Sequence, residues 1–595
     1  MAYTAPLKDM RFVLNEIAGV EDISKLPGYE HATHDVVEAV LTEAARLAGE
    51  VWAPTNKTGD RQMSRLENGG VKTPDGFKDA YTQFAQGGWT GIVCDPEFGG
   101  QGLPCSLNMA VGEMWQAANL ALSLCPLLSQ AAIEAIETLG TDDQRKTYLP
   151  KMISGEWTGS MHLTEPQAGT DLAAIRTTAK KNGDHYLMKG QKIFITWGEH
   201  DFTSNIIHLV LARVDGLPEG NDGLGLFIVP KFLVNADGTL GKRNDVRAVS
   251  LEHKLGIHGS PTCVMIYGEN DGAVAYLVGE AGKGLRNMFV MMNNARLGVG
   301  QQGVALGEAA YQHALGYAKD RVQGTKIGDK TGKRVAIIEH PDVRRMLLTM
   351  KTNTETARAL AYYAGGMQDR SRKEKDAKAQ AEAQARLDLM VPIVKAWATD
   401  MAVETASTGL QIHGGMGFIE ETGAAQYYRD CRILPIYEGT NGIQANDFLF
   451  RKVLRDNGAE AQRFLAEVKG FIKNFAQKPS DDLDVIQGSL TKAIAAVEET
   501  TAWMLANAKS NTDAMTASAV PYLRQFSLVA GGYMMARMAY AAHQALHGGE
   551  DANFYNTKLI TARFFAESLL PAVHGLSAPI MGGQTAAVQI ANDQF

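Results

Sequence analysis

The spacing of hydrophobic positions changes along the chain and divides it into zones of different texture. In the first zone, which ends near residue 158, apolar residues recur at helical spacing over His34–Ala53 and again over Leu107–Leu128. A Pro- and Gly-rich segment, Asp95–Pro104, lies before the second stretch and is typical of a loop. This zone is therefore predicted to be helical.

The second zone, residues 159–283, has the pattern of an antiparallel sheet. Short runs rich in β-branched and aromatic residues replace the helical spacing, as in His185–Ile195 and Asn205–Val214. Turn-forming pairs separate the runs: Asn182-Gly183, Asp215-Gly216, Asp222-Gly223, Asp237-Gly238 and Asp271-Gly272. Because no segment of helix length lies between the runs, a Rossmann-type βαβ domain is not indicated.

The remaining zones return to helical spacing. In residues 284–455 an apolar face is formed by Val304, Tyr311, Leu315 and Ala318. Residues 456–595 contain three long helical stretches, near 485–508, 515–547 and 552–570, and we expect Pro521 and Gly531-Gly532 to interrupt the middle one. The charged segment Asp369–Asp388 is predicted to be a solvated helix face or an exposed turn.

The predicted fold class is α+β, with one domain for each zone. An N-terminal extension and helical domain spans 1–158, and a middle antiparallel β domain spans 159–283. A helical bundle follows over 284–455, and an additional C-terminal helical domain spans 456–595.

Composition and charge narrow the class of protein. The chain of 595 residues is 45% hydrophobic and 21% charged, which is typical of a globular protein and excludes a disordered or fibrous one. Its net charge of −8 provides no basic excess for binding nucleic acid. Five widely spaced cysteines form no C-x-x-C pair, so neither a metal site nor a disulfide framework is predicted, and a reducing compartment is favoured. No signal peptide or membrane insertion is indicated, so we expect a soluble cytoplasmic protein.

Two motifs suggest chemistry that their context does not support. Gly298–Gly303 matches G-x-G-x-x-G, but the segment before it has helical rather than strand spacing, which favours closely packed helices over a dinucleotide site. His413-Gly414-Gly415 resembles an esterase oxyanion loop, yet the sequence contains no G-x-S-x-G nucleophile elbow.

Three other segments contain clusters of polar residues of the kinds that take part in catalysis and binding. They are Met161–Asp171 at the boundary between helix and sheet, Lys192–Gly198 at a strand end, and Tyr428–Gln444. Taken singly, each has an ordinary interpretation. Glu438 precedes a helix start, where an acid is stabilised by about 0.3–1 kcal/mol, and Thr164 and Thr196 could be turn hydroxyls.

Together these segments resemble the acyl-CoA dehydrogenase flavoprotein family. The motif T-E-P-x-A-G-S/T-D is present as Thr164–Asp171, and Q-I-x-G-G-x-G-F is present as Gln411–Phe418. The motif R-D-x-x-I-x-x-I-Y-E-G-T is present as Arg429–Thr440 with every spacing kept. Shorter matches occur at Phe194–Thr196, Lys254–Thr262 and Asp320-Arg321. The resemblance covers about residues 40 to 450, and the long flanking zones are similar to a subgroup of larger family members.

The resemblance implies FAD-dependent α,β-dehydrogenation of an acyl-CoA thioester to the 2-enoyl-CoA. Glu438 matches the catalytic base that removes the α-proton, while the β-hydrogen leaves as hydride to the flavin. The thioester oxygen would be held by the backbone N–H of Glu438 and a flavin ribityl hydroxyl. Some relatives carry the base just before the position of Arg296, but Asn293–Ala295 contains no carboxylate.

The remaining site residues are implied by position in the family motifs. Those assigned to FAD are Met161, Thr164, Phe194, Thr196, Arg321, Gln411, Gly415 and Thr440. Gln411 and Gly415 correspond to residues that reach the flavin of a neighbouring subunit, so a homo-oligomer, a dimer, is expected. Residues assigned to substrate are Thr170, Arg296 and Trp115. Trp115 would either shorten the acyl pocket or be plain core, and no metal is implied.

The subgroup resemblance implies 3-(methylthio)propanoyl-CoA as substrate, converted to 3-(methylthio)acryloyl-CoA in dimethylsulfoniopropionate catabolism. Electron-transfer flavoprotein is the implied electron acceptor. The alternatives are a general medium- or long-chain acyl-CoA dehydrogenase of β-oxidation, an oxygen-using acyl-CoA oxidase, and a non-catalytic flavin-binding relative. Chain-length preference, peroxide formation and loss of catalysis would separate these alternatives.

Overall fold

The computed structural model describes residues 3–477, 480–508, 510–547 and 551–595. The N-terminal part is helical, as predicted. Its elements, in chain order, are α1 Leu7–Val13, α2 Val20–Ile23, α3 His34–Leu47, α4 Ala53–Gln62, β1 Arg65–Glu67, β2 Gly70–Lys72, α5 Phe77–Gln86, α6 Cys105–Ala118, α7 Leu120–Leu139 and α8 Asp142–Ile153. The apolar stretch Leu107–Leu128 is divided between two helices because Asn119 leaves the helical conformation and its side chain accepts the N–H of Leu122 as the cap of α7.

The middle part is the predicted β domain. Its strands are β3 Trp157–His162, β4 Thr178–Asn182, β5 His185–Thr196, β6 Asn205–Val214, β7 Leu224–Pro230, β8 Phe232–Val234, β9 Leu240–Arg243, β10 Val246–Leu251, β11 Thr262–Tyr267 and β12 Ala273–Val278. The main sheet has the order β10-β11-β5-β12-β7-β6-β3, and β4 pairs with β5 and β6. Most pairings are antiparallel, as predicted, but β3 and β4 each run parallel to β6.

Both faces of this sheet are covered, which explains why its central strands read as continuous apolar runs. Along β6, Leu209 and Leu211 pack with α7 and α8 on one face. The intervening Val210 and Ala212 belong to a separate core on the other face, with Phe227.

The third part is built on long helices. Its elements are α9 Gly284–Asp320, β13 Val322–Thr325, β14 Arg334–Ala336, α10 Pro341–Lys373, α11 Ala377–His413, α12 Ala424–Cys431 and α13 Asn441–Asn446, and α13 continues as a π-helical segment Asp447–Val453. The C-terminal helices are α14 Ala459–Ile472, α15 Asp481–Asn507, α16 Thr512–His547, α17 Ala552–Phe564, α18 Ala572–Met581 and α19 Thr585–Gln589.

The glycines of the G-x-G-x-x-G motif lie inside α9 and allow close helix packing, as predicted. A Cβ added at Gly298 would lie 2.7 Å from Leu127 Cδ1, and one at Gly300 would lie 2.6 Å from Val394 Cγ1. At Gly303 the added atom would overlap the carbonyl oxygen of Ala398 on α11. These distances leave no room for side chains, so the motif belongs to the packing of α9 on its neighbours.

The charged segment Asp369–Asp388 is only partly the solvated surface that its composition predicts. The chain does turn at 374–376 between α10 and α11, but two of its charges are buried. Asp369 accepts the backbone N–H groups of Cys105 and Ser106 at 2.6 and 2.9 Å. Arg386 pairs with Glu460 at 2.6 Å, which ties α11 to α14. Charge density along the sequence cannot distinguish such buried partners from solvated ones.

The predicted interruption of the long C-terminal helix is wrong. Helix α16 runs through Pro521 and Gly531-Gly532 without a break. A Cβ at Gly531 would lie 2.8 Å from Thr356 Cγ2 on α10, and one at Gly532 would lie 3.1 Å from Leu490 Cδ1 on α15. The two glycines therefore serve close contact rather than a kink.

One hydrophobic core is shared by the N-terminal helices, the bundle and the C-terminal helices. Within the described residues, α7 has the length and apolar composition of a membrane span, and 78% of its apolar window is buried inside the protein. This helix contributes to the cores on both sides of it.

Candidate active site

Glu438 lies on a strained turn between α12 and α13. Its φ is +55°, and Gly439 follows with φ +84°, so two consecutive residues adopt the left-handed conformation. A non-glycine residue in that region costs on the order of 1–3 kcal/mol and is found where surrounding structure enforces it. Thr440 then caps α13 by accepting the N–H of Ile443 at 3.2 Å, which fixes where the turn ends.

Two buried cations set the electrostatics of this turn. Arg296 on α9 is buried, pairs with Asp447 at 3.1 Å and keeps its Nε without a hydrogen-bond partner. A Cβ at Gly439 would lie 3.7 Å from Arg296 Nη2, so the arginine lies alongside the turn. Burial raises the pKa of the Glu438 carboxyl above 4.5, while Arg296 and Lys395 each act to lower it.

Lys395 on α11 was not singled out by sequence reasoning. It is fully buried, and its Nζ donates to Asn441 Oδ1 at 2.7 Å, directly beneath the turn. Burial lowers the pKa of Lys395 to about 7, and the carboxylates of Asp400 and Glu438 oppose that shift. One feature of the sequence could have identified Lys395 as a candidate. It lies four residues before Thr399, on the same face of α11, and lysine is rarely found on a buried helix face.

The β-domain side of the site is built around the end of β5. The backbone N–H of Ile193 donates to Thr164 O at 2.9 Å, which brings the Met161–Asp171 loop against the strand. The buried Lys192 binds Glu165 at 2.8 Å, and Glu165 also accepts the N–H of Thr177 at 3.0 Å. Glu165 is therefore engaged in shaping the loop, not in presenting a free carboxylate.

Phe194 projects from a β-bulge in this strand. Ile195 pairs with Cys263 and Lys192 with Met265, so Ile193 and Phe194 together oppose the single residue between them on β11. Phe194 has φ +59° and is 59% exposed, although its neighbours in the strand are buried or half-buried. Met161 is nearly buried, while Thr164 and Thr196 are half-buried.

The Lys254–Thr262 motif connects this strand to the Glu438 segment. Thr262 pairs with Thr196, and the backbone N–H of Ile257 donates to Asp430 Oδ1 at 2.5 Å. A Cβ at Gly256 would lie 2.6 Å from the carbonyl carbon of Arg429, so only glycine fits there. Burial raises the pKa of Asp430 to about 6. Segments that are far apart in sequence are thus in direct contact.

A cavity of about 100 Å³ lies between α6, α7 and α9. Trp115 lines it and also packs against Phe84, Trp89 and Trp52, with ring centroids 5.4, 5.2 and 5.5 Å away. Trp115 is therefore both a core aromatic and part of the cavity wall. Ala295, another wall residue, is adjacent to Arg296 in α9.

Three of the residues assigned to FAD from the sequence, Gln411, Arg321 and Gly415, lie at or beyond the C-terminal ends of α9 and α11. Gln411 follows Lys395 by sixteen residues in α11, which corresponds to about 24 Å along the helix axis. Arg321 caps the far end of α9, and His413 stacks on His313 at 4.8 Å, so the two helix ends lie side by side. Gly415 is exposed in the loop that follows. Within one chain Gln411 and its neighbours therefore lie far from Lys395 and the Glu438 turn.

Thr170 lies in the exposed part of the loop before β4. Over the ranges that the structure describes, no group of three His, Cys, Asp or Glu side chains is arranged to hold a metal ion.

Comparisons with known proteins agree along the whole chain. Residues 38–156, 160–269 and 282–451 match the acyl-CoA dehydrogenase N-terminal, middle and C-terminal domains, and 464–591 match a further domain described as acetyl-CoA dehydrogenase C-terminal like. The 3-methylmercaptopropionyl-CoA dehydrogenase of Ruegeria pomeroyi is 47% identical over 571 residues, which is 96% of each protein. The broad-specificity linear acyl-CoA dehydrogenase FadE5 of Mycobacterium tuberculosis is 35% identical over 96% of each.

Solved structures show the same fold. Caenorhabditis elegans ACDH-11 in complex with C11-CoA superposes with a TM-score of 0.76 at 19% identity, covering 95% of this chain and 91% of that one. The acyl-CoA dehydrogenase of Bacillus anthracis complexed with FAD gives 0.74 at 21% identity, covering 96% and 91%. Because both the domain matches and a close full-length relative agree, this chain belongs to the acyl-CoA dehydrogenase family, whose members are oxidoreductases that act on acyl-CoA.

Proposed function

We propose that this enzyme uses FAD to convert 3-(methylthio)propanoyl-CoA to 3-(methylthio)acryloyl-CoA in dimethylsulfoniopropionate catabolism. The observation that carries the proposal is Glu438, a carboxylate on a strained turn whose electrostatics are set by the buried cations Arg296 and Lys395. Arg296 is adjacent in α9 to Ala295, which lines the cavity. The high identity to 3-methylmercaptopropionyl-CoA dehydrogenase of Ruegeria pomeroyi supports the choice of acyl group.

The chain's own residues account for the removal of the α-proton. The Glu438 carboxylate accepts no hydrogen bond from the described part of the chain, so its oxygens are available to take a proton from the substrate. Burial raises its pKa toward that of a useful general base, and Arg296 and Lys395 keep it ionisable. The electron pair of the broken Cα–H bond then forms the new C=C bond as hydride leaves the β-carbon.

The turn at Glu438 also offers a donor for the thioester oxygen. The backbone N–H of Glu438, which lies on the left-handed turn, donates to no acceptor among the described residues. A donor aimed at the oxygen stabilises the negative charge that develops there as the proton leaves. Base and donor therefore come from one residue.

FAD fits the surface around Phe194. An exposed aromatic ring on a β-bulge offers a stacking face for a flat ring system. Thr164, whose carbonyl accepts the N–H of Ile193, and Thr196, two residues after Phe194, supply hydroxyls on the same part of the chain, and Met161 lies in β3, which leads into the loop of Thr164. When bound, FAD supplies the acceptor for the hydride. Thr440, also assigned to FAD, caps α13 directly after the Glu438 turn.

We further propose a homodimer in which each subunit completes the other's flavin site. Arg321, Gln411 and Gly415 lie together about 24 Å from the Glu438 end of the bundle, so they suit the flavin of a partner. The adjoining loop exposes Met416, Phe418 and Ile419, with 92% of Phe418 accessible, and such a patch is typical of an interface.

The cavity favours a short acyl chain. Trp115 occupies one wall and is held by three aromatic neighbours, so it cannot swing aside for a longer tail. Arg296 and Thr170 remain candidates for contact with the rest of the substrate. Electron-transfer flavoprotein is the proposed electron acceptor, and the cytoplasm the proposed location.

The test is an anaerobic titration of the purified enzyme with 3-(methylthio)propanoyl-, butyryl-, octanoyl- and palmitoyl-CoA, following bleaching of the flavin. We expect the short substrates to reduce the flavin fastest and Glu438→Gln to lower that rate by about 10²–10⁴-fold. Glu404→Gln is the matched control, since Glu404 is an exposed residue of α11 paired with Arg524.

Each outcome separates the alternatives. Preferential reduction by palmitoyl-CoA would make the enzyme a general long-chain dehydrogenase. Peroxide formed without an added acceptor would identify an oxidase. Absence of bound flavin, or reduction undiminished in Glu438→Gln, would overturn the mechanism.

A further inference from the structure

The cavity next to Arg296 contains a pair of buried glutamines that the proposed reaction does not use. Gln116 on α6 and Gln301 on α9 are 3% and 4% exposed and both line the cavity. Gln116 Nε2 donates to Gln301 Oε1 at 3.1 Å. Buried amides are costly unless all their groups are paired, so such a pair at a binding cavity requires an explanation.

Gln301 is fully engaged, and this fixes the direction of both amides. Its Nε2 donates to the backbone carbonyls of Met109 and Asn108. Its Oε1 is then left for Gln116, and reversing the amide would place oxygen against those carbonyls. A Cβ at Gly112 would lie 2.5 Å from Gln301 Nε2, so the glycine provides the space in which Gln301 lies.

Gln116, by contrast, is only half satisfied. One hydrogen of its Nε2 is used by Gln301, and its Oε1 is buried and accepts no hydrogen bond. It therefore has one N–H donor and one carbonyl acceptor for a cavity occupant. A hydrocarbon tail sealed against this amide leaves both groups unpaired, at a cost of about 1–3 kcal/mol for an unsatisfied buried group.

The position of the pair along α9 matches the tail of a short acyl chain. Gln301 follows Arg296 by five residues, about 7.5 Å along the helix, and Arg296 lies alongside the turn that carries Glu438. Five residues turn the helix by about 140°, so these two side chains do not share a face, and the connection is Ala295, which is adjacent to Arg296 and lines the same cavity as Gln301 and Gln116. In the proposed function, an acyl chain that enters this cavity with its α-carbon at Glu438 extends toward Gln116. A thioether presents a weak acceptor sulfur flanked by polarised C–H groups, which complements one N–H and one C=O.

We propose that Gln116, oriented by Gln301, makes this enzyme selective for acyl chains that carry a heteroatom at the fourth position. The ligand class is a short β-alkylthio or β-alkoxy propanoyl-CoA, in preference to the hydrocarbon of equal length. This inference rests on the proposed function, and it adds the residue that distinguishes sulfur from methylene.

The test compares three acyl-CoA substrates of the same length: 3-(methylthio)propanoyl-, 3-methoxypropanoyl- and pentanoyl-CoA. The quantity measured is the ratio of kcat/KM for each heteroatom substrate to that for pentanoyl-CoA. We expect wild type to favour both heteroatom substrates and Gln116→Met, which has similar length and no amide, to lower both ratios by about tenfold.

A second variant tests orientation without changing any polar group. Gly112→Ala displaces the Gln301 amide, so Gln116 loses its fixed direction and the ratios should fall in this variant too. Gln525→Met is the control: Gln525 is a buried glutamine of α16, bonded to Ser577 at 2.9 Å and far from the cavity, and its replacement should leave the ratios at the wild-type values.

The outcomes distinguish this inference from the proposed function. If none of the three substrates reduces the flavin of the wild-type enzyme, the proposed function fails, and the proposed selectivity fails with it. If wild type is reduced but does not prefer the heteroatom, or if Gln116→Met and Gly112→Ala retain its ratios, the role of Gln116 is refuted while the dehydrogenase function stands.

Discussion

The charge state of Glu438 is decided by groups from three separate segments. Its burial opposes ionisation, and Arg296 from α9 and Lys395 from α11 favour it. Arg296 is already paired with Asp447, whereas among the described residues Lys395 forms a hydrogen bond to Asn441 and no ion pair. Arg296 has the larger effect on the pKa of Glu438, but removing it would also leave Asp447 without that partner. Removing Lys395 therefore gives the simpler test of a cation near Glu438.

Replacing Lys395 by methionine should shift the acid limb of the pH profile of kcat/KM to higher pH. In the proposed mechanism the carboxylate of Glu438 is the active form, and burial raises its pKa above 4.5. Removing a nearby positive charge raises that pKa further, so activity appears only at higher pH. Lys395→Arg retains the charge and should keep the limb near its wild-type position. An unshifted limb in Lys395→Met would show that the lysine only supports the fold.

Phe194, which is assigned to FAD in the proposed function, adopts a backbone conformation that is unfavourable for local stability. Its left-handed backbone costs on the order of 1–3 kcal/mol, and its ring is 59% exposed, so the folded chain gains little from it. Phe194→Gly should leave the thermal midpoint of the flavin-free protein unchanged or raised, and should reduce the flavin retained after purification. The flavin-to-protein absorbance ratio measures this.

Asn457→Gly is the matched control, because Asn457 has φ +56° in a turn outside the site. Its flavin content should equal that of wild type. Full flavin retention in Phe194→Gly would contradict the assignment of Phe194 to the cofactor.

At the scale of elements, periodicity predicted the helices and strands well because each buries a regular face. The strands of the β domain and the long helices α9, α15 and α16 lie where the pattern placed them. The errors have a common cause. Breaks at Gly531-Gly532 were expected from glycine's weak helix propensity, but tertiary contact with α10 and α15 outweighs a propensity of about 1 kcal/mol.

The site was predictable only in part, for the same reason. Glu438 and the loop around Thr164 were singled out as candidates because each lies in a recognisable motif. Lys395 lies in a helical segment that carries no motif, and Gln301 lies inside the Gly298–Gly303 match, where the glycines and not the glutamine define the pattern. The contacts of both residues arise from what packs against them: Asn441 in one case and the carbonyls of α6 in the other. Contacts between distant segments are not encoded in local spacing.

The stability of the protein should be sensitive to a single added methyl group where α9 packs on α11. A Cβ at Gly303 would meet the backbone of Ala398 and Thr399, which cannot move as a side chain can. We expect Gly303→Ala to destabilise the protein by at least about 1–3 kcal/mol, the usual cost of overpacking. Gly470→Ala is the control, since the Cβ at that position in α14 meets nothing within 4 Å and should stabilise the helix slightly. Urea unfolding measures both, and equal midpoints for the two variants would contradict this packing argument.

At the scale of the whole molecule, a buried charge cluster joins the two ends of the chain to the bundle. Arg358 of α10 binds Asp9 of α1 at 2.5 Å, Glu113 of α6 at 2.6 Å and Glu308 of α9 at 2.8 Å. Lys558 of α17 binds Asp9 and Glu355. Asp9 of the N-terminal extension is therefore in contact with both the bundle and the C-terminal domain.

Asp9→Asn should loosen both ends of the chain at once. Lys558 and Arg358 hold the pKa of Asp9 well below 3.8, so the carboxylate contributes stability above pH 3.8 that is lost as the pH falls further. Removing one partner of a buried ion pair costs about 3–5 kcal/mol. We expect a lower thermal midpoint at pH 7, a weaker acid dependence of that midpoint, and faster amide hydrogen exchange in both α1 and α17.

The exposed pair Lys8–Asp551 joins the same two segments and supplies the control. Both side chains are about half exposed, so Lys8→Met should change the free energy of unfolding by no more than about 1 kcal/mol and leave exchange in α17 near the wild-type rate. If Asp9→Asn accelerates exchange in α1 but not in α17, the extension does not connect the C-terminal domain to the bundle. If both respond together, the flanking segments and the bundle behave as one cooperative unit, and the single core that they share is sufficient to explain it.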